Sequence, residues 1–236
     1  MIDKKNKWRL KLLITMDFFF RGFIVLGTII IIFSNLKTIK NYRRENEKRT
    51  TIKYYKTIFQ QIPTYSSYIS SILIGLALFR VGSLLNIGQN MAATINILNV
   101  QIMDTSQTMQ YQAPIIIMGL IGSVMYIAFS LMLSLSYTSL GKNFSDYIDI
   151  KEGNNLVTGK IYSIIRHPMY LSEIMIPLAA SIALLSWTVF LWTILVQTPL
   201  YIIRARKEDE LLENYYGREF LFYKQKVNSF IPTFKK

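Results

Sequence analysis

Cysteine is absent from the 236 residues, and histidine occurs once, at position 167. The first absence removes disulfides, thiol nucleophiles and zinc–thiolate sites, and the second rules out a multi-histidine metal centre. Charge is scarce as well. Only 17% of residues are charged against 51% hydrophobic, so neither a disordered polar chain nor an ordinary water-soluble domain fits. Internal repeats and low-complexity tracts are also missing.

What charge there is has one dominant sign and an uneven placement. Lys and Arg number 27 against 14 Asp and Glu, a formal net charge of +13. Five of these cations lie in residues 1–11, eight in 36–65, four in 138–169 and eight in 204–236, whereas residues 89–112 contain none. Clustering in loops between apolar runs is the positive-inside pattern, with anionic lipid headgroups as the counter-charge. It argues against a nucleic-acid partner, which would need the cations on a continuous face.

The apolar runs set the architecture. Residues 12–35 form a first candidate span, interrupted by Asp17 and Arg21, which are four apart and can face each other on one helix side. Residues 66–88 form a second span and 113–137 a third, where Gly119 and Gly122 would admit close helix contacts. From 171 to 203 the only charge is Glu173. Those 33 residues exceed one span and suit a helical hairpin turning near Ser186-Trp187, with Pro177 and Pro199 tolerated if neighbours cover the carbonyls they free. The expected fold class is all-α: a polytopic membrane helix bundle of about five transmembrane helices ending in this hairpin. Loop charge places 36–65, 138–169 and the C-terminal tail in the cytoplasm, although the cationic N-terminus then lies on the wrong side for five crossings.

A hairpin returns the chain to the face it left. It therefore brings the segment 159–170, containing Tyr162, Arg166, His167, Pro168 and Tyr170, close to Arg204-Ala205-Arg206-Lys207-Glu208-Asp209-Glu210. Arg204 and Glu208 stand at i and i+4, so an ion pair on one helical face would hold the Glu208 carboxylate ready to accept hydrogen bonds from a diol. His167 precedes proline and is kept out of helical conformation, marking where the hairpin begins.

At these residues the chain resembles the isoprenylcysteine carboxyl methyltransferase and phospholipid methyltransferase superfamily of integral membrane enzymes. The resemblance covers roughly residues 138–232. It runs through Leu140-Gly141, Leu156-Val157-Thr158, Tyr162, Arg166-His167-Pro168-Met169-Tyr170, the apolar hairpin, Arg204 and Arg206, Glu208-Asp209, Leu211-Leu212, Tyr216-Gly217, Tyr223 and Ile231-Pro232. Ser172 stands where the family usually has glycine, Asp209 where it commonly has a second glutamate, and Gly159 one residue further from Tyr162 than usual.

The resemblance implies an S-adenosylmethionine-dependent methyltransferase without a metal, releasing S-adenosylhomocysteine. Residues 1–137 would form N-terminal transmembrane helices, and 138–236 the catalytic region: cofactor loop, hairpin and C-terminal helix. Tyr162, Arg166, His167, Pro168, Tyr170, Glu208 and Asp209 are the implied cofactor-binding residues, with Arg204 and Glu208 catalytic. The implied acceptor is lipid-like, an isoprenylcysteine carboxyl above all, reached from the bilayer at a cytoplasmic-side active site. A phospholipid amine as acceptor is the alternative, and a membrane scaffold or transporter is the non-enzymatic one.

Overall fold

The computed structural model describes residues 18–33, 40, 44, 48–54, 60–78 and 105–232, the side chains of 105–113 and 115 aside. Its helices are α1 (Phe18–Phe33), α2 (Ile62–Leu78), α3 (Thr105–Leu140), α4 (Pro168–Ala183), α5 (Trp187–Trp192), α6 (Thr198–Tyr216) and α7 (Arg218–Lys226). A five-residue π turn, Thr193–Gln197, joins α5 to α6, so 187–216 is one continuous rod.

Two stretches among the described residues, Ile116–Asn143 and Trp187–Tyr216, are long and apolar enough to cross a membrane, and α1, α2 and α4 are shorter apolar helices. Large apolar side chains such as Phe19, Phe33, Ile72, Val124, Leu135 and Leu195 stay exposed on the outside. An apolar exterior of that extent marks contact with lipid or a partner.

Inside, Ile24, Ile74, Ala77, Tyr126, Leu133, Ala179, Ala183 and Val189 form the main core, drawing α1 to α5 together. Small residues set the helix spacing. A Cβ at Gly122 would lie 2.8 Å from the Ala179 carbonyl oxygen, so the closeness of α3 to α4 requires glycine there. Hydroxyls on α3 are silenced locally: Ser123, Ser130 and Ser136 each donate to the carbonyl four residues earlier, at 2.6–2.7 Å.

The hairpin turns at the expected place. Leu185 adopts φ 52, and the Ser186 hydroxyl caps α5 by accepting from the Val189 amide. Pro177 lacks an amide hydrogen and so frees the Glu173 carbonyl, to which Gln197 Nε2 donates at 2.7 Å. Residues 204–209 lie mid-helix, because nothing between Thr198 and Tyr216 breaks the periodicity.

A further departure links the N-terminal half to residues 149–151. The chain is not wholly helical: β1 (Thr51–Tyr54) pairs antiparallel with β2 (Asp149–Lys151), with an irregularity between Thr51 and Lys53. Arg49 braces this ribbon through the Lys142 carbonyl (3.0 Å) and Asn154 Oδ1 (2.9 Å), while Gly153 (φ 72) makes the turn after β2. Arg21 donates to the carbonyls of Ala77 (3.0 Å) and Leu78 in α2. Asp17, which can face it one turn earlier, lies outside the described residues, as does 79–88 of the second span.

Candidate functional site

Two segments far apart in sequence meet below the hairpin. The first runs from Gly159 through a 3₁₀ turn, Lys160–Ser163, to His167, whose φ −120 and ψ 58 are non-helical as a residue before proline requires. Pro168 then takes the first turn of α4, where its missing amide is harmless. The second is the polar stretch of α6, continued through Gly217 (φ 55) into α7.

Asp209 of α6 joins them. One of its oxygens lies 2.7 Å from Arg166 Nη2 and the other 2.8 Å from His167 Nε2, with all three side chains nearly buried. Arg166 also donates to the Val227 carbonyl (2.7 Å), the Lys224 carbonyl (3.2 Å) and Ser229 Oγ (2.5 Å). The amides of Arg166 and His167 reach the carbonyls of Asn228 and Ser229, so the segment after α7 is zipped to the motif loop. Tyr223 of α7 completes the seam by donating its hydroxyl to the Tyr162 carbonyl at 2.6 Å.

With Asp209 ionised and acceptor-only, His167 Nε2 is the donor in their contact. Nδ1 faces Glu208 Oε2 at 3.7 Å. At that distance an ammonium or hydroxyl group of a ligand could bridge Glu208 to a ring nitrogen that carries no proton. His167 and Glu208 line an open groove of about 600 Å³ whose other walls include Asp149, Asn154, Leu156, Tyr162 and Leu212. Two polar atoms of groove-lining residues, Asp149 Oδ1 and Arg166 Nε, are buried without a hydrogen-bond partner. Burial pushes the Asp149 carboxyl above the usual carboxylate range, against hydrogen bonding from Ser145 and the charge of Lys151.

A second cavity, of about 740 Å³, lies among the helices and is lined by Ser67, Tyr68, Tyr137, Tyr170, Glu173, Tyr201 and Arg204. Here the expected Arg204–Glu208 ion pair is replaced. Arg204 is buried and donates through Nε to Tyr170 Oη (3.1 Å), through Nη1 to the Gln60 carbonyl (2.6 Å) and Thr64 Oγ1 (3.4 Å), and through Nη2 to the Asp146 carbonyl (2.6 Å). A buried guanidinium needs more acceptors than one carboxylate offers, and these carbonyls supply them. The Tyr170 hydroxyl also lies within reach of Glu208, and its ring stacks 5.5 Å from that of His167. The two cavities therefore meet at one wall, with Glu208 on the groove side and Arg204 on the other.

Of the residues singled out in the sequence, Tyr162, Arg166, His167, Glu208 and Asp209 line the groove, Tyr170 and Arg204 line the second cavity, and Pro168 is buried behind them. Asp149, Asn154, Gln60, Thr64 and Ser67 escaped sequence reasoning. They carry no motif, and only the ribbon and the start of α2 bring them in.

Comparison with known proteins agrees with the resemblance. The phospholipid methyltransferase family model matches residues 117–219. A probable protein-S-isoprenylcysteine O-methyltransferase of Oryza sativa is 27% identical over 120 residues, covering 48% of this chain and 60% of the relative. Protein-S-isoprenylcysteine O-methyltransferase B of Arabidopsis thaliana is 26% identical over 119 residues, covering 47% and 57%. The match thus spans about three fifths of the length of these relatives. A solved structure of a eukaryotic intramembrane Ras methyltransferase, an isoprenylcysteine carboxyl methyltransferase, aligns over 98% of each chain at 16% identity and a TM-score of 0.47.

Proposed function

We propose, from a phospholipid methyltransferase-type region at residues 117–219, that this chain is a multi-pass membrane methyltransferase using S-adenosylmethionine. Its acceptor would be the carboxyl of an isoprenylcysteine-like lipid. The observation that carries the reading is the pair of adjacent cavities, which approach each other where Tyr170 of the second stacks on His167 of the first. Transfer between a water-soluble donor and a lipidic acceptor needs two such chambers with one point of contact. Residues 1–137 would chiefly shape the lipid side and 138–236 the chemistry, with the groove facing the cytoplasm in keeping with loop charge.

The groove suits this cofactor, which supplies an electrophilic methyl group when bound. His167 Nδ1 and Glu208 would bracket one donor-bearing group of it, and the Asp149 carboxylate in the groove wall would accept from another. Leu156, Tyr162 and Leu212 offer an apolar wall for a flat ring. Arg166 has spent both terminal nitrogens on Asp209 and the 224–229 segment, so its role is to position Asp209. No strong base is required, because an acceptor carboxyl is already ionised at neutral pH. Four of the five N–H groups of Arg204 are engaged, so it would give the acceptor a single hydrogen bond within a fixed positive field.

Calorimetry of detergent-purified protein with S-adenosylhomocysteine, followed by methyl transfer to prenylcysteine and phospholipid acceptors, tests the reading directly. Glu208→Gln keeps size and removes charge. A charged hydrogen bond of about 1.5–3 kcal/mol corresponds to a ten- to hundredfold loss of affinity for S-adenosylhomocysteine. Unchanged affinity in the folded variant would remove Glu208 from the site.

Asp149 gives the binding a pH dependence. Its ionised form accepts more strongly than its protonated form, and its pKa is raised, so affinity should fall as pH drops into a window above the ordinary value of about 4. In the empty protein the sign is opposite, since ionising this half-buried carboxyl weakens folding as pH rises through the same window. Asp149→Asn should bind more weakly at neutral pH and lose the acid limb. An acid limb identical to wild type would assign it to another group.

A further inference from the structure

The segment that follows α7 turns back towards the apolar hairpin. Its backbone is zipped to the motif loop, with the Arg166 amide on the Asn228 carbonyl (2.9 Å) and the His167 amide on the Ser229 carbonyl (3.0 Å), and Pro168 then starts the apolar helix α4. Phe230 reaches further. It packs against Tyr170, Ile174, Tyr201 and Ala205, a cluster shared by α4 and α6, and Ile174 lies about 9 Å along α4 from Pro168. Residues 228–232 therefore run alongside the foot of the hairpin, where its apolar exterior begins. Ile231, the neighbour of Phe230, is 72% exposed there.

A second exposed apolar side chain, Ile164, stands shortly before Pro168 on the loop to which this strap is bound. The same seam carries two exposed lysines. Lys160 opens the 3₁₀ turn that contains Tyr162, Lys226 ends the helix that contains Tyr223, and the Tyr223 hydroxyl joins the two stretches by donating to the Tyr162 carbonyl at 2.6 Å. Neither lysine makes an ion pair among the described residues, whereas Lys207 and Lys224 are paired with Glu210 and Glu213. The sequence adds Lys235 and Lys236 just beyond Pro232. Apolar side chains with cations beside them are the two signals that together fix a segment on an anionic leaflet, the lysine stems lying along apolar surface and their heads reaching phosphate. Water alone would leave Ile231 and Ile164 without apolar cover, and a neutral lipid would leave the lysines without a counter-charge.

We propose that the strap 227–232, with Ile164, Lys160 and Lys226, is a docking surface for anionic phospholipid of the cytoplasmic leaflet, and that docking holds the strap against the cofactor loop. The link is geometric. Arg166 bonds Ser229 Oγ and the Val227 carbonyl as well as Asp209, so a strap fixed at Ile231 keeps Arg166, Asp209 and His167 in their arrangement beside the groove. Phe230 packs on the same site, its ring 6.0 Å from that of His167. The docking surface stands apart from the methyltransferase reading, and only its effect on the cofactor rests on that reading.

The absence of cysteine makes the test direct. Ile231→Cys, labelled with nitrobenzoxadiazole in phosphatidylcholine nanodiscs, should be quenched by trace lipid spin-labelled high on its acyl chain and little by aqueous iodide. The same label at Asn214→Cys, exposed near the far end of α6, should show the reverse. Trace spin-labelled phosphatidylglycerol should quench the Ile231 position more than the same amount of spin-labelled phosphatidylcholine, and Lys160→Gln combined with Lys226→Gln should equalise the two. Phosphatidylglycerol in the disc should also tighten S-adenosylhomocysteine binding about fivefold in wild type, the effect of one cation near an anionic surface. The double variant should lose that gain and keep wild-type affinity in phosphatidylcholine. Iodide quenching at Ile231, or equal quenching by the two lipids in wild type, overturns the docking surface. A headgroup preference with equal S-adenosylhomocysteine affinity in both discs overturns the link to the cofactor loop. No S-adenosylhomocysteine binding in either disc counts against the methyltransferase reading, and the quenching comparison then decides the surface by itself.

Discussion

Asp209→Asn is expected to damage both the fold of the motif region and binding of the proposed cofactor. The carboxylate is the only anion paired with Arg166 among the described residues, and both side chains are nearly buried, 12% and 7% exposed. Removing one partner of a buried pair leaves the other charge uncompensated, at a cost of about 3–5 kcal/mol. The damage should spread, because Arg166 also fastens the carbonyls of Lys224 and Val227 and the Ser229 hydroxyl, and through them the segment behind α7. His167 would lose its fixed acceptor as well, since the asparagine amide can present either a donor or an acceptor to Nε2. Thermal unfolding in detergent should show a lower midpoint without ligand, and S-adenosylhomocysteine should bind at least a hundredfold more weakly. Asp209→Glu, which retains charge, should recover part of both. A variant with wild-type midpoint and affinity would show that the triangle holds neither the loop nor the ligand.

The residues that were legible in the sequence are those whose constraint is local. The hairpin follows from an apolar run too long for one crossing, and its turn from the Ser186 cap beside Trp187. His167 declares itself as a boundary through Pro168, and Gly122 declares a close helix contact that α3 and α4 do make. The illegible features depend on partners from distant sequence. Thr51–Tyr54 and Asp149–Lys151 are too short to show a strand period, and they become strands only because each supplies the other's hydrogen bonds. The i,i+4 spacing of Arg204 and Glu208 permits a pair. It does not compete with the carbonyls of Gln60 and Asp146, which lie 144 and 58 positions away and satisfy a buried guanidinium better. Asp149 enters the groove by the same route, on a strand that no periodicity announces.

That rerouting of Arg204 changes what a conservative substitution there should do. Were it bracing Glu208, Arg204→Lys would weaken cofactor binding and leave turnover at saturation nearly intact. Its guanidinium instead ties Tyr170, the start of α2 and the loop before β2 into the shared wall, and a lysine has three donors on one atom where the arginine uses three separate nitrogens in a planar fork. Affinity for S-adenosylhomocysteine should therefore change by less than about threefold. Turnover on a prenylcysteine acceptor should fall about a hundredfold even with cofactor saturating, the scale seen when one preorganised donor at a reacting oxygen is lost. Rotation of Tyr170 away from His167 would add to the loss, because that ring separates the two chambers. Calorimetry and full kinetics on the same preparation distinguish the cases. Weakened cofactor affinity with wild-type saturated turnover would return Arg204 to a bracing role, and loss confined to acceptor turnover would fix it at the point where the carboxyl meets the methyl donor.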